Sequence, residues 1–449
     1  MERVLVVGTT PDYVDLILKG HPGRALFLTD PRFREGARED PPAAIDEVLE
    51  DLTRPPAVIL QTLQAHLDRW GLALSGITSF DCESLLIAAR LAESFGLPYP
   101  RPGSMLAARD KFACKRLWLE AGLPCPRARL VREAREAAAF LRQLPAAAGG
   151  PAPGIVLKPL TGSGSELVFL CRTAAEIERA VEEMRARLAG HRDVRMYAPI
   201  ETPLGRLDPR AVFVAEEFVA GDEHSCDFLI DGDRVEVVRV ARKLLAPAGW
   251  PLGTTLAYEL PARLPPAVDP DAFRRQLGEA AWALGITRAI CMLDFIVRGD
   301  RALMIEMSPR PGGDCLPPLI LASSGLDMLR AALDLAEGRE IEIPPAEAWR
   351  RRIGLRLFAR EAGTVARIDP ARLAGDPRVC AVHLTREPGH RVVLPPDNYD
   401  SRILGYAIFA PSDRRPLADE CAELAGLLDL ELRRAAPVGP TGAAGGRLP

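Results

Sequence analysis

The chain has 449 residues, enough for about three domains with cores of their own. Its net charge of −4 is close to balance, which argues against a nucleic-acid surface as the main partner. No apolar run approaches the length of a membrane span, and the apolar start at residues 1–8 is too short for a signal sequence. Nine cysteines without a C-x-x-C pair indicate buried thiols in a reducing compartment, so we expect a cytoplasmic protein.

Lysine is unusually rare in this chain. Among the 57 basic residues the lysines are Lys19, Lys111, Lys115, Lys158 and Lys243, and all the others are arginines. This composition is typical of a GC-rich coding bias, under which most solvated lysines become arginines. A lysine that remains is then expected where a compact ammonium group is required.

The N-terminal part alternates apolar runs with helical patterns. The runs at 3–10 and 25–30 end in small or polar turns, and a further strand is expected at 76–80 before a helix over 83–95. We therefore predict a doubly wound, parallel-sheet α/β domain over residues 1–103. It lacks the G-x-G-x-x-G pattern, so no dinucleotide site is predicted.

A basic helix is predicted next, with Ser104 as its N-cap and Ala121 near its end. Lys111 and Lys115 lie one turn apart on this helix. Like charges at that spacing repel by about 0.2–0.5 kcal/mol unless an anion lies nearby. A solvated basic face is the alternative interpretation.

An apolar strand is predicted over 154–158 and ends at Lys158. A Gly/Ser loop that contains Ser163, Gly164 and Ser165 follows it. A lysine that closes an apolar strand needs an anionic partner, and we expect that partner to be a phosphate chain held by the loop. It is not a Walker A loop, because the lysine precedes the glycines. A glycine-rich hairpin without a ligand is the alternative.

A strand near residue 215 ends in two acids and two apolar residues, Glu216, Glu217, Phe218 and Val219. Their backbone groups and apolar side chains could hold a purine. Glu223, just past a glycine, could accept hydrogen bonds from ribose hydroxyls. His224 is expected to make a local hydrogen bond rather than to bind a metal. Taken alone, this segment is ambiguous.

The most informative stretch is a predicted β-hairpin with strands at 292–297 and 304–308. Pairing of the strands would set Asp294 beside Glu306. Two converging carboxylates repel unless a cation lies between them, and oxygen ligands favour Mg²⁺. Arg310 follows within a turn of prolines and glycines, and an arginine just beyond a metal indicates a phosphate or carboxylate between them. The alternative is a hairpin with solvated acids.

In this order the motifs resemble the ATP-grasp superfamily, and within it the carboxylate–amine ligases related to bacterial L-amino-acid (dipeptide) ligases. The resemblance covers nearly all of residues 1 to 430 and rests on the ordered set of motifs. It implies an ATP-grasp fold over residues 104–345, with two α+β subdomains that grip ATP. A small C-terminal α+β ligase domain is expected over 346–434, followed by a disordered tail over 435–449.

The resemblance also implies roles for individual residues. Those expected to bind ATP are Lys111 and Lys158 at the phosphates, the loop residues Ser163, Gly164 and Ser165, Glu216, Glu217, Phe218 and Val219 at adenine, Glu223 at ribose, and Lys243 at a further polar contact. Asp294, Glu306 and Ser308 would bind Mg²⁺, with Mn²⁺ as an alternative ion, and Arg310 would steady the carboxyl substrate. The sequence departs from the family twice, because Asp294 replaces a usual Glu and Ser308 a usual Asn.

The implied activity is ATP-dependent joining of a carboxylate, such as an amino acid, to an amine through an acyl phosphate, with ADP and phosphate as products. The loop of 161–166 is expected to act as a lid, and the loops of 198–210 and 244–260 to contribute to specificity. A carboxylase or transformylase that uses bicarbonate or formate, or a weakened nucleotide-binding scaffold, is the alternative. We expect small-molecule substrates, no nucleic acid and no membrane partner, and a homodimer is compatible with this pattern.

Overall fold

The computed structural model describes residues 1–35, 37–145, 152–412 and 414–433. The chain divides into two compact units, Met1–Ile353 and Gly354–Pro449. Within the described residues, no helix is both long enough and apolar enough to cross a membrane.

The first unit begins with four parallel strands and their helices: β1 Glu2–Val7, α1 Pro11–Gly20, β2 Ala25–Thr29, β3 Glu47–Leu49, α2 Pro56–Trp70, β4 Ala73–Thr78 and α3 Leu85–Phe95. Strand β2 is buried at every residue, as expected for a parallel sheet with helices on its faces. The sheet order is β3-β2-β1-β4, so the carboxyl ends of β1 and β4 flank a topological switch point. The predicted doubly wound domain is confirmed.

A second, antiparallel sheet and its helices follow: α4 Pro102–Arg109, α5 Lys111–Glu120, β5 Ala128–Val131, α6 Ala134–Gln143, β6 Ile155–Pro159, β7 Phe169–Cys171, α7 Ala174–Ala189 and β10 Phe213–Glu217, with a small hairpin, β8 Ile200–Thr202 and β9 Gly205–Leu207, before β10. The sheet order is β5-β10-β6-β7. The predicted single helix from Ser104 to Ala121 is wrong. Two helices meet at Asp110, whose carboxylate caps α5 by accepting hydrogen bonds from the N–H groups of Phe112 and Ala113.

A third sheet carries the predicted hairpin: β11 Asp222–Asp231, β12 Arg234–Leu245, β13 Thr255–Leu260, α8 Pro270–Ala283, β14 Arg288–Arg298, β15 Arg301–Ser308, α9 Leu316–Ser324 and α10 Met328–Ala336. Within this unit the strands are antiparallel in the order β15-β14-β11-β12-β13. One core contains Trp118 of α5, Phe273 of α8 and Phe295 of β14. This core fixes the lysine-bearing helix α5 relative to the hairpin.

The second unit contains short strands and two helices: β16 Arg352–Phe358, β17 Gly363–Asp369, α11 Ala371–Ala374, β18 Val379–Leu384, β19 Arg391–Val392, β20 Ile403–Phe409, α12 Leu417–Ala425 and β21 Asp429–Arg433. Its strands follow the orders β16-β20-β18 and β19-β17-β21. This is the α+β architecture expected from the sequence. The predicted tail over 435–449 lies outside the described residues, and the predicted domain boundaries at 103/104 and 345/346 stay predictions.

Candidate active site

The two acids of the β14–β15 hairpin face one another. The strands pair so that Asp294 lies opposite Glu306, and Ser308 at the end of β15 lies opposite Met292. The side chain of Asp294 is 16% exposed and that of Glu306 is 41% exposed, so one acid is largely buried and the other half-buried. The acids therefore lie side by side as expected, while their role as metal ligands stays a prediction.

Each hairpin acid has an ammonium group beside it. Lys243 Nζ lies 2.6 Å from Asp294 Oδ2. Lys111 Nζ lies 3.5 Å from Glu306 Oε2 and also donates a hydrogen bond to the carbonyl oxygen of Gly162 at 2.6 Å. Lys111 thereby joins α5, the hairpin and the Gly/Ser loop.

A second cluster lies deeper. Lys158 Nζ and Lys115 Nζ both approach Glu216 Oε1, at 2.8 and 3.4 Å, and all three residues are at most 5% exposed. Lys115 also donates to the carbonyl oxygen of Ile305, next to Glu306 in β15. The expectation that a phosphate chain alone would be the partner of Lys158 is wrong, because Glu216 is a protein partner. The Glu216 carboxylate is likewise occupied, and its backbone lies in β10 between β5 and β6, so the adenine contact of Glu216 stays a prediction.

Four of the five lysines thus lie near the hairpin, and Lys19 is the exception. Lys19 is 76% exposed at its side chain and pairs with Asp15 one helical turn away. Lys115 was predicted to share a helix face with Lys111, but it was not assigned to the site. The signal that could have included it is the rarity of lysine itself.

The ammonium groups shift the ionisation of the two hairpin acids in opposite directions. Burial opposes ionisation of Glu306, but Lys111, Lys158 and Lys243 outweigh it and lower the pKa of Glu306 to about 2. Burial raises the pKa of Asp294, the nearby charge of Glu306 adds to this, and Lys243 offsets only part of it. Lys243 therefore does not fully offset the combined effect of burial and the Glu306 charge on the pKa of Asp294.

Glu223 is a third acid at this end of the sheet. It is the second residue of β11 and lies opposite Ile296, and burial raises its pKa despite the nearby Lys243. The neighbouring His224 makes local contacts. Its Nδ1 lies 3.0 Å from the carbonyl oxygen of Asp222, and its ring stacks on Phe295. This agrees with the expectation for His224.

The predicted adenine segment leads from β10 into β11. Glu217 pairs with Arg127 at 3.0 Å, with its side chain 28% exposed. The backbone N–H of Phe218 donates to the carbonyl oxygen of Gly154, and Val219 packs in a small apolar cluster with Ile296 and Leu303. An apolar surface is therefore present next to the hairpin, and binding of adenine there stays a prediction.

The Gly/Ser loop is attached at several points. Its residues Gly162, Gly164 and Ser165 have positive φ values of 124°, 66° and 60°. Ser165 Oγ donates to the carbonyl oxygen of Gly253 at 3.2 Å. Glu166, at the end of the loop, accepts a hydrogen bond from the Tyr197 hydroxyl at 3.0 Å. Ser163 and Gly164 are exposed, as expected of a phosphate-binding segment, and the contacts of the other loop residues hold the loop in place.

Arg310 faces the N-terminal parallel-sheet domain. Its Nε donates a hydrogen bond to Cys82 Sγ at 3.2 Å, and its Nη1 donates to the carbonyl oxygen of Pro311 at 2.7 Å. Cys82 Sγ also lies 3.6 Å from Ser308 Oγ. The end of the hairpin therefore meets the loop that follows β4.

Sequence reasoning missed this N-terminal loop, which contains Asp81, Cys82, Glu83 and Ser84. Ser84 Oγ accepts a hydrogen bond from Arg195 Nη1 at 2.8 Å. Burial, with the nearby Asp81, raises the pKa of Glu83 to about 7. A Cβ on Gly8, after β1, would lie 2.0 Å from Ser84 Oγ, so the two switch-point loops pack closely together.

Comparisons with known proteins show what this chain is similar to. Residues 152–318 match the sequence profile of the ATP-grasp domain. An uncharacterized protein, y4rH, from Sinorhizobium fredii is 28% identical over 381 residues, covering 83% of this chain and 72% of that protein. A D-alanine–D-alanine ligase from Acidovorax ebreus is 28% identical over 277 residues, covering 55% of this chain and 73% of the ligase.

A solved structure shows the same fold over nearly the whole chain. The L-amino acid ligase from Bacillus licheniformis superposes with a TM-score of 0.73 at 18% identity, covering 97% of this chain and 99% of that one. Residues 152–318 form an ATP-grasp domain, and the predicted resemblance to ATP-grasp carboxylate–amine ligases is confirmed. These comparisons support the predicted class, an ADP-forming carboxylate–amine ligase.

Proposed function

We propose that this ligase joins an amino acid, through its carboxylate, to an amine and forms an amide or dipeptide. The observation that carries the proposal is the gathering of four ammonium groups and two facing acids beside Arg310 in an ATP-grasp domain. Such a set suits a polyphosphate, a divalent cation and a carboxylate, and it requires no nucleophilic side chain.

The hairpin acids have the donor set that Mg²⁺ or Mn²⁺ requires. Asp294 Oδ1 is buried without a hydrogen-bond partner among the described residues, so it has an unused lone pair next to Glu306. The described part of the chain contains no group of three His, Cys, Asp or Glu residues that could hold a metal alone. Mg²⁺ at nucleotide sites is usually held by one or two carboxylates together with phosphate oxygens and water. Asp294 and Glu306, assisted by Ser308, would hold the ion, which would neutralise phosphate charge.

ATP would lie along the lysines. Lys111 and Lys158 would contact its phosphates together with Ser163, Gly164 and Ser165, and Lys243 would add a further polar contact. Adenine would lie against the backbone of Glu216 and Glu217 and the apolar side chains of Phe218 and Val219, with Glu223 at the ribose. The ion pair of Lys158 with Glu216 supports this arrangement, because it keeps a buried ammonium group charged and oriented.

The carboxyl substrate would bind between Arg310 and the switch-point loops of the N-terminal domain. Ligands of doubly wound sheets bind outside the carboxyl ends of the strands at such a point. The contact of Arg310 with Cys82 brings the guanidinium to this place. Arg310 would hold the carboxylate through paired N–H donors and then stabilise charge on the reacting carbonyl.

The reaction would proceed in two transfers. A carboxylate oxygen attacks the γ-phosphorus of ATP, and ADP leaves. The amine nitrogen then attacks the acyl carbon, the C–O bond to phosphate breaks, and the nitrogen loses a proton to give the amide. The segment 161–166, tied to Tyr197 and Gly253, would exclude water from the acyl phosphate.

A pairwise screen of amino acids for ADP and phosphate release tests this function. We expect release that requires both a carboxylate and an amine substrate, with an amide as the coupled product. Release that depends on bicarbonate or formate instead would identify a carboxylase or transformylase. Nucleotide binding without turnover for any pair would identify a weakened scaffold.

A further inference from the structure

A fully buried ion pair lies behind the turn that follows Arg310. Asp227 Oδ2 of β11 and Arg239 Nε of β12 are 2.7 Å apart, and both side chains are 0% exposed. Arg239 Nη1 also donates hydrogen bonds to the carbonyl oxygen and hydroxyl group of Ser225. Burying two charges costs free energy, and a pair of hydrophobic residues is often as stable. The pair therefore calls for a specific explanation, and the proposed reaction does not use it directly.

The ion pair contacts the turn at Gly312. Asp227 Oδ1 accepts a hydrogen bond from the backbone N–H of Gly312 at 2.8 Å. A Cβ on Gly312 would lie 2.9 Å from Arg239 Nη2 and 3.2 Å from Asp227 Oδ2. The turn can approach the pair this closely only because residue 312 is a glycine.

The position of Gly312 determines the position of Arg310. Only Pro311 separates them, and its ring fixes the backbone φ angle between the two residues. Arg310 Nη1 donates a hydrogen bond to the carbonyl oxygen of Pro311, and its Nε donates one to Cys82 Sγ. The contacts form a continuous path from Asp227 through Gly312 and Pro311 to the guanidinium.

We infer that Asp227, held by Arg239, is a positioning residue for the guanidinium of Arg310. Asp227 acts through Gly312 and need not touch ATP or the carboxyl substrate. Its effect on turnover rests on the proposed function. Its structural effect, the placement of Arg310 against Cys82, does not.

Alkylation of Cys82 measures this placement without any ligase activity. Of the nine cysteines, Cys82 and Cys380 are the two that are not buried. With Cys380→Ser as the background, iodoacetamide modification of Cys82 is followed by mass spectrometry. Arg310→Ala supplies the reference for a thiol without its guanidinium neighbour. The test variants, Asp227→Asn and Gly312→Ala, change the two ends of the central hydrogen bond.

A matched control lies on the same strand as Arg239. Arg234→Gln removes the exposed ion pair of Arg234 with Glu236 on β12 and should leave alkylation and turnover at wild-type values. We expect Asp227→Asn and Gly312→Ala to shift the alkylation rate in the same direction as Arg310→Ala. We also expect kcat to fall by about 10–100-fold while ATP affinity stays near wild type.

The outcomes separate the inference from the proposed function. A folded variant with wild-type Cys82 alkylation overturns the inference, whatever its turnover. If Asp227→Asn does not fold, Gly312→Ala decides, because it keeps both charged side chains and displaces the turn from them. If the wild-type protein shows no ligase turnover with any substrate pair, the proposed function fails, and the alkylation rates still decide the role of Asp227.

Discussion

The two sides of the candidate site use different cations. On the nucleotide side, Lys243, Lys158 and Lys111 each lie within 4 Å of a carboxylate. On the N-terminal side, arginines donate to neutral acceptors: Arg310 to Cys82 Sγ and Arg195 to Ser84 Oγ. The lysine side is thus a network of ion pairs, whereas the arginine side is joined by hydrogen bonds to a thiol and a hydroxyl group.

This difference suits two different ligands. A polyphosphate can replace or supplement carboxylates around compact ammonium groups, which act as point charges. A planar carboxylate is better matched by the fixed fork of a guanidinium group. The following substitutions test whether the lysine side binds the polyphosphate and the arginine side binds the carboxylate.

The largest effect is expected at Glu306 on the lysine side. Glu306→Gln keeps the shape of the side chain but removes the anion that faces the lysines and the proposed metal, so turnover should fall to background. Ser308→Asn, which introduces the usual family residue, should retain or raise activity and serves as the control. Turnover at varied Mg²⁺ and circular dichroism check both variants. Near-wild-type turnover of folded Glu306→Gln with unchanged Mg²⁺ dependence would exclude the hairpin acids as the metal site.

A smaller effect, still large, is expected on the arginine side. Removing one donor to a developing oxyanion typically costs about 10²–10³ in kcat. Arg310→Lys should lose nearly as much as Arg310→Ala, because an ammonium group cannot make the bidentate contact. Steady-state kinetics should show the loss in kcat rather than in KM alone. If Arg310→Lys keeps wild-type kcat, Arg310 supplies only positive charge.

An intermediate effect on nucleotide affinity is expected at Lys158. Lys158→Ala should weaken ATP binding by about 1.5–3 kcal/mol, the range for hydrogen bonds to charged groups. Lys19→Ala is the matched control, since Lys19 is exposed and lies in the N-terminal helix α1. Isothermal calorimetry measures both variants. Unchanged ATP affinity of Lys158→Ala would restrict Lys158 to its structural pairing with Glu216.

The smallest effect is a pH dependence at Glu83. Its pKa rises from an ordinary 4.5 to about 7 in the folded chain, chiefly through burial, so the folded state holds this proton more tightly than the unfolded state. The resulting contribution to stability is complete below the unfolded pKa and is lost as pH rises toward 7. Glu83→Gln removes this loss. The difference in thermal midpoint, variant minus wild type, should therefore increase between pH 4.5 and 7. A difference that stays constant over this range would place Glu83 in a solvated environment.

The parts of the site that could be predicted from sequence are those with a local pattern. The pairing of Asp294 with Glu306 follows from two apolar strands around a short turn. The functional signal of Lys158 comes from its place at the end of an apolar strand and from the scarcity of lysine. Such features need no knowledge of distant contacts.

The parts that could not be predicted depend on long-range packing. Arg195 looks like any of the many arginines of this chain. Arg310 was singled out by the turn that contains it, but nothing in either local sequence indicated that both arginines contact the loop after β4. The ion pair between Lys158 and Glu216 joins β6 to β10, and neither segment alone shows it. The break between α4 and α5 at Asp110 was missed because the helical pattern runs through it, although aspartate is a favoured N-cap.

The central claim, an acyl phosphate formed between the lysine side and Arg310, is tested most directly by isotope transfer. An amino acid labelled with ¹⁸O in its carboxylate is turned over with ATP and an amine, and the products are analysed by mass spectrometry. The account predicts ADP together with inorganic phosphate that carries one ¹⁸O atom from the carboxylate. Label in AMP, with release of pyrophosphate, would contradict it.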